Sequence, residues 1–176
     1  MLIFLDTEYT DPLNCDLISI GMVSEDGQYE LYLERLDYTK EWCNSFVQAT
    51  VLPLLGNANP AVDRNLLREQ LAAWFLVLPR SVTVGCDSFT DWRLLLDALG
   101  NVRPQNLSGR YDLRGLVDSP VFHRAVMRYH ERTGPWHHAL HDARAHRHGW
   151  LAWKDNQKSR SSTSASWSPQ PLQRWK

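Results

Sequence analysis

Apolar runs divide the first part of the chain into strands. The unbroken run Met1–Leu5 predicts a strand that is buried on both faces, and Leu17–Val23 predicts a second buried strand. Before the alternating segment Gln28–Leu33, Asp26 and Gly27 are the residues that a tight hairpin turn requires. The chain is therefore expected to begin as an antiparallel meander.

Helical spacing of apolar residues dominates the next part of the chain. Residues 38–55 are predicted to form a helix that Pro53 ends or kinks. The apolar face of this helix consists of Trp42, Phe46 and Val47. Asn59 and Pro60 predict the start of a second helix, as an N-cap followed by proline at the first helical position. The residues at helical spacing in this second helix are Val62, Leu66, Leu67, Leu71, Trp74, Phe75 and Leu78.

Strands and helices alternate in the remainder. Val82–Cys86 predicts a strand parallel to the first, reached by a helical crossover. A helix closed by Gly100 is expected next, and residues 101–115 are expected to be mostly loop, with helix near 111–117. The apolar residues of the helix before Gly100 are Trp92, Leu95, Leu96 and Leu99. Two more helices are expected over about 119–132 and 139–153. This pattern predicts an α/β fold with a mixed sheet.

Composition limits the class of protein. The chain has 176 residues, 43% hydrophobic and 22% charged, which fits one globular domain that we place at residues 1–155. The formal net charge of −1 excludes a uniformly basic nucleic-acid binder but permits a local basic groove. Residues 156–176 are rich in serine and low in apolar residues, so they are expected to be a disordered tail.

Cysteine usage and hydropathy bear on the compartment. Cys15, Cys43 and Cys86 are odd in number and widely spaced, which argues against a disulfide framework or a zinc site. No apolar run approaches the length of a membrane span, and the first residues lack the pattern of a secretion signal. These features predict a soluble protein of the reducing cytoplasm.

Two carboxylates follow the first strand. Because side chains alternate along a strand, Asp6 and Glu8 leave it on the same face. Two anions so close repel each other and require a compensating cation, for which a divalent metal ion is usual. Two solvated acids before a loop are the alternative, and an isolated Asp-x-Glu is weak evidence for metal binding.

A histidine precedes an aspartate by five residues at the start of the last helix. Five residues rotate roughly 140° around a helix, so one helical face would not present both His137 and Asp142. The pair can act together if His137 lies in the preceding loop and folds over Asp142. His141, His146 and His148 are expected to be polar surface residues.

One more acid follows the fourth predicted strand, where α/β proteins often place ligand-binding residues. Asp91 comes directly before an apolar helical face and is expected to point inward as a metal ligand. Asp87 stands at the strand exit and is expected to cap the helix, a common role of aspartate.

These acids and the histidine, taken in order, resemble the DEDDh group of 3'-to-5' exonucleases over residues 1 to about 153. Within that group the chain is most similar to the small bacterial RNase AS-type exoribonucleases, which act on adenylate-rich RNA. The segments that carry the resemblance are Leu5–Tyr9, Leu17–Gly21, Glu25–Gly27, Val51–Pro53 and His137–Arg144. His138 stands where a tyrosine-type relative would carry Tyr. The third motif departs from the pattern, with Thr90 where Phe is usual and Asp87 where Asn is frequent.

The resemblance implies a ribonuclease-H-like fold, with a mixed five-stranded sheet flanked by helices. It implies release of nucleoside 5'-monophosphates from single-stranded RNA 3' ends, with two Mg²⁺ or Mn²⁺ ions as cofactors. The implied metal ligands are Asp6, Glu8, Asp91 and Asp142, with Asp6 as the bridge between the ions. Carboxylate oxygens suit these ions, and two ions roughly 3.5–4 Å apart suit phosphodiester hydrolysis. Histidine exchanges protons readily near neutral pH, so His137 is the expected general base.

Substrate contacts and oligomeric state are less constrained. Tyr9 and Thr10 are expected to contact the terminal nucleotide, and Trp42 or Trp136 either stacks on a base or packs in the core. Single-stranded DNA, tRNA 3' ends and very short oligoribonucleotides are alternative substrates, because sugar selection depends on contacts to the 2'-hydroxyl. A non-catalytic binding module with the same fold is a further alternative. Related small exoribonucleases are often homodimers, so a monomer and a homodimer are both open.

Overall fold

The structure, a computed structural model, describes residues 1–56, 61–101 and 103–165. The strands in these residues are β1 (Leu2–Tyr9), β2 (Leu17–Ser24), β3 (Glu30–Glu34), β4 (Val82–Cys86) and β5 (Leu107–Asp112). The α-helices are α1 (Ser45–Thr50), α2 (Arg64–Val77), α3 (Phe89–Leu99), α4 (Arg114–Val117), α5 (Pro120–Arg132) and α6 (Ala139–Ala165). Two short 3₁₀ turns cover Lys40–Trp42 and Leu52–Leu54.

The strands form one sheet in the order β3-β2-β1-β4-β5. The meander β1-β2-β3 is antiparallel, whereas β4 is parallel to β1 and β5 is parallel to β4. The predicted α/β fold with a mixed five-stranded sheet flanked by helices is therefore confirmed, and it is compatible with a ribonuclease-H-like fold.

Side chains of the central strand β1 alternate between two cores. Ile3 and Leu5 are fully buried in the core that includes residues of α2 and α3. Phe4 is fully buried in the core that α5 and α6 form on the other face. The same alternation places Asp6 and Glu8 on the α6 side of β1 and Thr7 on the α3 side.

A glycine allows α6 to lie close to the sheet. Gly21 on β2 pairs with Asp6 on β1. A Cβ atom at Gly21 would stand 2.2 Å from the backbone nitrogen of Leu140 and 2.3 Å from the backbone carbon of Ala139. The first turn of α6, which carries Asp142, therefore reaches the neighbourhood of Asp6 only because position 21 has no side chain.

The prediction of one helix over residues 38–55 is wrong. The segment consists of a 3₁₀ turn, the short helix α1 and a second 3₁₀ turn that contains Pro53. Asn44 interrupts the predicted helix because its side chain accepts a hydrogen bond from the Val47 amide and starts α1 anew. Of the predicted apolar face, Val47 is buried, whereas Trp42 and Phe46 are 45% and 52% exposed.

The predicted start of the second helix is also wrong. Asn59 and Pro60 lie outside the described residues, and α2 begins at Arg64 after the N-cap Asp63. The Asp63 carboxylate accepts hydrogen bonds from the backbone amides of Asn65 and Leu66, which fixes the start of the helix. Val62 precedes the helix and forms an isolated bridge with Arg35.

The segment predicted as loop after Gly100 contains the edge strand β5. The sequence of this strand does not alternate between apolar and polar residues, and none of its residues is fully buried. Hydrophobic patterning therefore could not predict it. Its parallel pairing with β4 is a tertiary interaction that holds it in the sheet. The helix predicted near residues 111–117 is the single turn α4.

The last helix is longer than predicted, because α6 continues past Trp153 to Ala165. Trp150 and Lys154 both bind the Glu25 carboxylate, which anchors this part of the helix to the β2–β3 turn. The helix extends into the segment predicted to be a disordered tail, and residues 166–176 lie outside the described residues. Within the described ranges, no helix combines the length and apolar character needed to cross a membrane.

The close approach at Gly21 predicts a large cost for a small side chain there. Gly21→Ala should lower the free energy of unfolding by about 1–3 kcal/mol, the range for overpacking, because backbone atoms of α6 must move. Urea denaturation measures this change. Gly115→Ala is the matched control, since a Cβ at Gly115 would meet no atom within 4 Å. Equal stability of the two variants would contradict the proposed role of Gly21.

Candidate active site

A cleft of about 410 Å³ lies where β1 and β4 end and α6 begins. Its walls combine acids, histidines and exposed aromatic rings. The lining residues are Asp6, Thr7, Glu8, Tyr9, Asp11, Pro12, Asn44, Phe46, Val47, Asp87, Ser88, Asp91, Trp136, His137, Asp142 and His146. All four predicted metal ligands and the predicted base therefore line one cleft.

Three of the predicted ligands come within the reach of one metal ion. Carboxylate oxygens of Asp6, Glu8 and Asp142 lie within 4.8 Å of one another. Asp6 and Glu8 come from one face of β1, and Asp142 comes from the first turn of α6, which Gly21 admits. The structure thus brings together residues that are far apart in the sequence.

Contacts from the preceding loop and from α5 hold the Asp142 carboxylate. The backbone amide of His138 donates to Asp142 Oδ2 at 3.0 Å, and His130 Nε2 lies 3.2 Å from Asp142 Oδ1. The His130 ring stacks on Trp136 with a 3.7 Å centroid separation, and its Nδ1 lies 3.1 Å from the Gly134 carbonyl oxygen. His130 therefore links the loop between α5 and α6 to the acid at the start of α6.

His137 lies in that loop, as its spacing from Asp142 required. Its φ of 62° is in the left-handed region, where a side chain other than glycine costs roughly 1–3 kcal/mol. The exposed Phe46 ring meets the His137 ring edge to face, with centroids 4.8 Å apart. The fold therefore holds His137 at the cleft against a backbone preference.

Asp91 is almost fully buried, with 3% exposure, and its Oδ1 accepts a 2.6 Å hydrogen bond from Thr7. Thr7 faces the α3 side of β1, whereas Asp6 and Glu8 face the α6 side. Asp91 lines the same cleft but does not belong to the group formed by Asp6, Glu8 and Asp142. Its role as a metal ligand stays a prediction.

Asp87 does not cap α3, so that prediction is wrong. Ser88 is the N-cap, and its side chain accepts from the Thr90 amide. The carboxylate of Asp87 turns to α6 instead, where Oδ2 lies 3.5 Å from His146 Nε2. Ligand atoms of Asp6, Asp87 and His146 also lie within 4.8 Å of one another.

His146 is not a surface residue, contrary to the prediction. It is 9% exposed and lines the cleft one helical turn after Asp142. Residues four apart share a helical face, so the sequence already contained the signal that would have placed His146 beside Asp142. His141 does lie outside the cleft lining, and its Nδ1 lies 2.9 Å from the Tyr129 hydroxyl.

Burial, together with the crowding of acids, raises the pKa values of the carboxyl groups in the cleft. The pKa of Glu8 is raised to about 8, mainly by burial and then by the charges of Asp142 and Asp91. Burial is likewise the main cause that raises the pKa of Asp91 to about 7 and that of Asp142 to about 6. Burial, followed by the surrounding carboxylates, raises the pKa of Asp6 well above its ordinary value. The cleft therefore favours protons or another cation.

The Asp87–His146 pair behaves differently. Burial opposes the charged form of both groups, but their mutual interaction prevails, so the pKa of Asp87 is lowered and that of His146 is raised. The arrangement favours the ionised form of Asp87, whereas the pKa values of the neighbouring cleft acids are raised.

Two of the four residues predicted to contact the nucleotide line the cleft, and two do not. Tyr9 and Trp136 line the cleft, and Trp136 is 44% exposed. Thr10 and Trp42 are not among the described residues that line it. Thr10 is fully buried. Its hydroxyl donates to the Asn14 carbonyl and accepts from the Asp16 amide, so it is occupied within the loop after β1. Phe46 and Asn44, which were not predicted, are in the cleft because α1 is a separate short helix beside it.

No protein-family model matches the chain, and no curated protein matches it.

The raised pKa values predict how pH affects the metal-free protein. In the folded state the cleft acids keep protons up to about pH 6–8, whereas in the unfolded chain they lose them near their ordinary pKa values of 3.8 and 4.5. Their contribution to stability is therefore present at pH 4 and is lost as pH rises through about 6–8.

Melting temperature in EDTA, measured from pH 5 to about pH 9, should therefore fall as pH rises. Asp6→Asn removes the most crowded charge and should make the fall shallower, with a higher melting temperature than wild type at the alkaline end. Asp118→Asn, an exposed acid outside the cleft, should leave the pH profile unchanged. An Asp6→Asn profile identical to that of the wild type would refute this account of the cleft.

Proposed function

We propose that the protein is a metal-dependent 3'-to-5' exoribonuclease that releases nucleoside 5'-monophosphates from single-stranded RNA, with adenylate-rich 3' ends as the preferred substrate. The observation that carries the proposal is the convergence of Asp6, Glu8 and Asp142 in one cleft with His137. RNA as the substrate and attack at the 3' end are proposed because the ordered motifs resemble those of DEDDh exoribonucleases.

The cleft fits divalent metal ions in its donor atoms and in its charge. The group of Asp6, Glu8 and Asp142 offers carboxylate oxygens, the ligands that Mg²⁺ and Mn²⁺ prefer. Burial and mutual repulsion raise the pKa values of these acids, so a divalent cation bound among them would be stabilising. Asp91 lies in the same cleft and completes the proposed ligand set. Asp6, Glu8, Asp91 and Asp142 would hold the divalent ions, which would lower the pKa of a bound water and offset the charge that develops on the phosphodiester.

His137 is positioned to take the proton of the attacking water. It lines the cleft with the acids, and its left-handed backbone turns it out of the loop that precedes α6. Backbone strain of this kind occurs where the surrounding structure fixes a residue, and it is frequent at active sites. His130 and Trp136 fix this loop through their stacking and the contact of His130 with Asp142.

Exposed rings beside the base suit a nucleotide. Phe46 and Trp136 both line the cleft and are 52% and 44% exposed, so each presents an apolar ring to the substrate. Stacking of a base on such a ring contributes about 1–3 kcal/mol and tolerates any base. Asn44 donates to Asp11 at 3.0 Å, and both residues line the cleft with these rings, so polar groups are available to the sugar of a bound nucleotide.

A 5'-labelled oligonucleotide assay tests the reaction. With Mg²⁺ or Mn²⁺, the full chain should shorten poly(A) stepwise from the 3' end, and excess EDTA should abolish the reaction. Ca²⁺ should bind without supporting turnover, because its longer and looser coordination misplaces the water. Poly(U), mixed RNA, single-stranded DNA and a dinucleotide define the substrate range.

A circular oligoadenylate is the matched control because it has no 3' end. Resistance of the circle together with hydrolysis of the linear form supports an exonuclease, whereas cleavage of the circle would show an endonuclease. Binding of RNA without hydrolysis under all metal conditions would favour the non-catalytic binding module. Full activity in excess EDTA would exclude the metal-dependent reaction.

Substitution of His137 tests its role as base. His137→Asn is the informative variant, since asparagine tolerates the left-handed backbone better than alanine but cannot accept the proton. The rate should fall by roughly 10²- to 10⁴-fold, with melting temperature and Mn²⁺ binding nearly unchanged. His148→Asn, on the part of α6 outside this cleft, should keep wild-type activity. A dead His148→Asn together with an active His137→Asn would refute the assignment.

A further inference from the structure

His146 and Asp87 form a group with Asp6 that the exonuclease mechanism above does not use. Their ligand atoms lie within 4.8 Å of one another, and Asp6 also belongs to the group with Glu8 and Asp142. The chain brings the two added residues together from different elements. Asp87 directly follows β4, and His146 lies on α6.

One ring nitrogen of this buried histidine has no hydrogen-bond partner in the described part of the chain. His146 is 9% exposed, and this nitrogen is its Nδ1. Its Nε2 lies 3.5 Å from Asp87 Oδ2, which is long for a hydrogen bond. Burial of a polar group without a good partner is unfavourable, so a further contact at this imidazole would be stabilising. Coordination of a metal ion by an imidazole nitrogen is such an interaction.

The position of His146 on α6 directs it toward the acids. It follows Asp142 by one helical turn, so both residues lie on the helical face that meets the end of β1. Both line the cleft with Asp6 and Asp87. A metal ion in this part of the cleft could therefore be bound by two carboxylates and one imidazole.

We propose that Asp6, Asp87 and His146 form a mixed nitrogen–oxygen metal site that takes Mn²⁺, Co²⁺ or Zn²⁺ in preference to Mg²⁺. An imidazole ligand suits first-row transition metals, whereas an all-oxygen set suits Mg²⁺. The inference deepens the proposed function and rests on it for the neighbouring ion at Asp6, Glu8 and Asp142. The two ions then differ in chemistry, because one has an oxygen-only ligand set and the other includes a nitrogen.

Electron paramagnetic resonance of Mn²⁺ added to the metal-free full chain tests the site. The wild type should bind two Mn²⁺ ions, and electron spin echo modulation should show coupling to ¹⁴N. Selective ¹⁵N labelling of histidine should replace this pattern by that of ¹⁵N, which identifies a histidine ligand. Isothermal titration with Mg²⁺ in place of Mn²⁺ should show weaker occupancy of the second site.

Substitutions assign the nitrogen to one histidine. His146→Gln should remove the coupling and weaken the second Mn²⁺ site by at least about tenfold, the lower end of the loss seen for second-shell partners of metals. Asp87→Asn should weaken the same site, and the first Mn²⁺ should bind in both variants. His148→Gln is the matched control on the same helix and should behave as wild type, because His148 lines a different pocket.

Absence of nitrogen coupling in the wild type at saturating Mn²⁺ would overturn the proposal. Persistence of coupling in a folded His146→Gln would also overturn it, since His130 or His137 would then be the ligand. Where His146→Gln does not fold, His130→Gln and His137→Asn decide, because loss of coupling in either variant contradicts the proposal and retention in both supports it.

The RNA assay separates this inference from the proposed function. Hydrolysis of RNA by a protein without nitrogen coupling would overturn the mixed site alone. Nitrogen coupling in a protein that hydrolyses no nucleic acid would support the mixed site and overturn the exoribonuclease.

Discussion

Repulsion among the carboxylates around Asp6 is the constraint on which the cleft depends. Burial of Ile3, Phe4 and Leu5 on two faces fixes β1 at the centre of the sheet, so Asp6 cannot move away from its neighbours without disrupting both cores. The missing side chain of Gly21 lets α6 approach and adds Asp142 to the same place. Hydrophobic burial thus imposes a concentration of negative charge that protons or metal ions must offset.

The loop before α6 joins the acids to the proposed base. His130 stacks on Trp136 and lies 3.2 Å from Asp142, while the His138 amide donates to the same carboxylate. These contacts connect both ends of the loop, so the strained backbone of His137 between them is held in place. The same loop therefore fixes the positions of His137, the proposed base, and of the Asp142 carboxylate.

Asp6 connects two chemically different halves of the cleft. On one side the neighbours are carboxylates alone, and on the other side they are Asp87 and the buried imidazole of His146. The opposite shifts of the acids agree with this division, since the pKa values of Glu8 and Asp142 are raised while that of Asp87 is lowered beside His146. A single β-strand residue thus contributes to both environments.

The sequence by itself determined the central strands, α3, α5 and the α/β class, because continuous apolar runs and helical spacing are local signals of burial. It also indicated Asp6, Glu8 and the loop position of His137, since strand alternation and helix rotation are fixed by backbone geometry. The N-caps Asn44 and Ser88 are local contacts, so the sequence also held the signals for the starts of α1 and α3. The tertiary structure alone decided the edge strand β5. Helical spacing from Asp142 already indicated His146, but the tertiary structure decided that Thr10 is buried and that Phe46 reaches the cleft. These features depend on contacts between residues distant in the chain, which no local pattern contains.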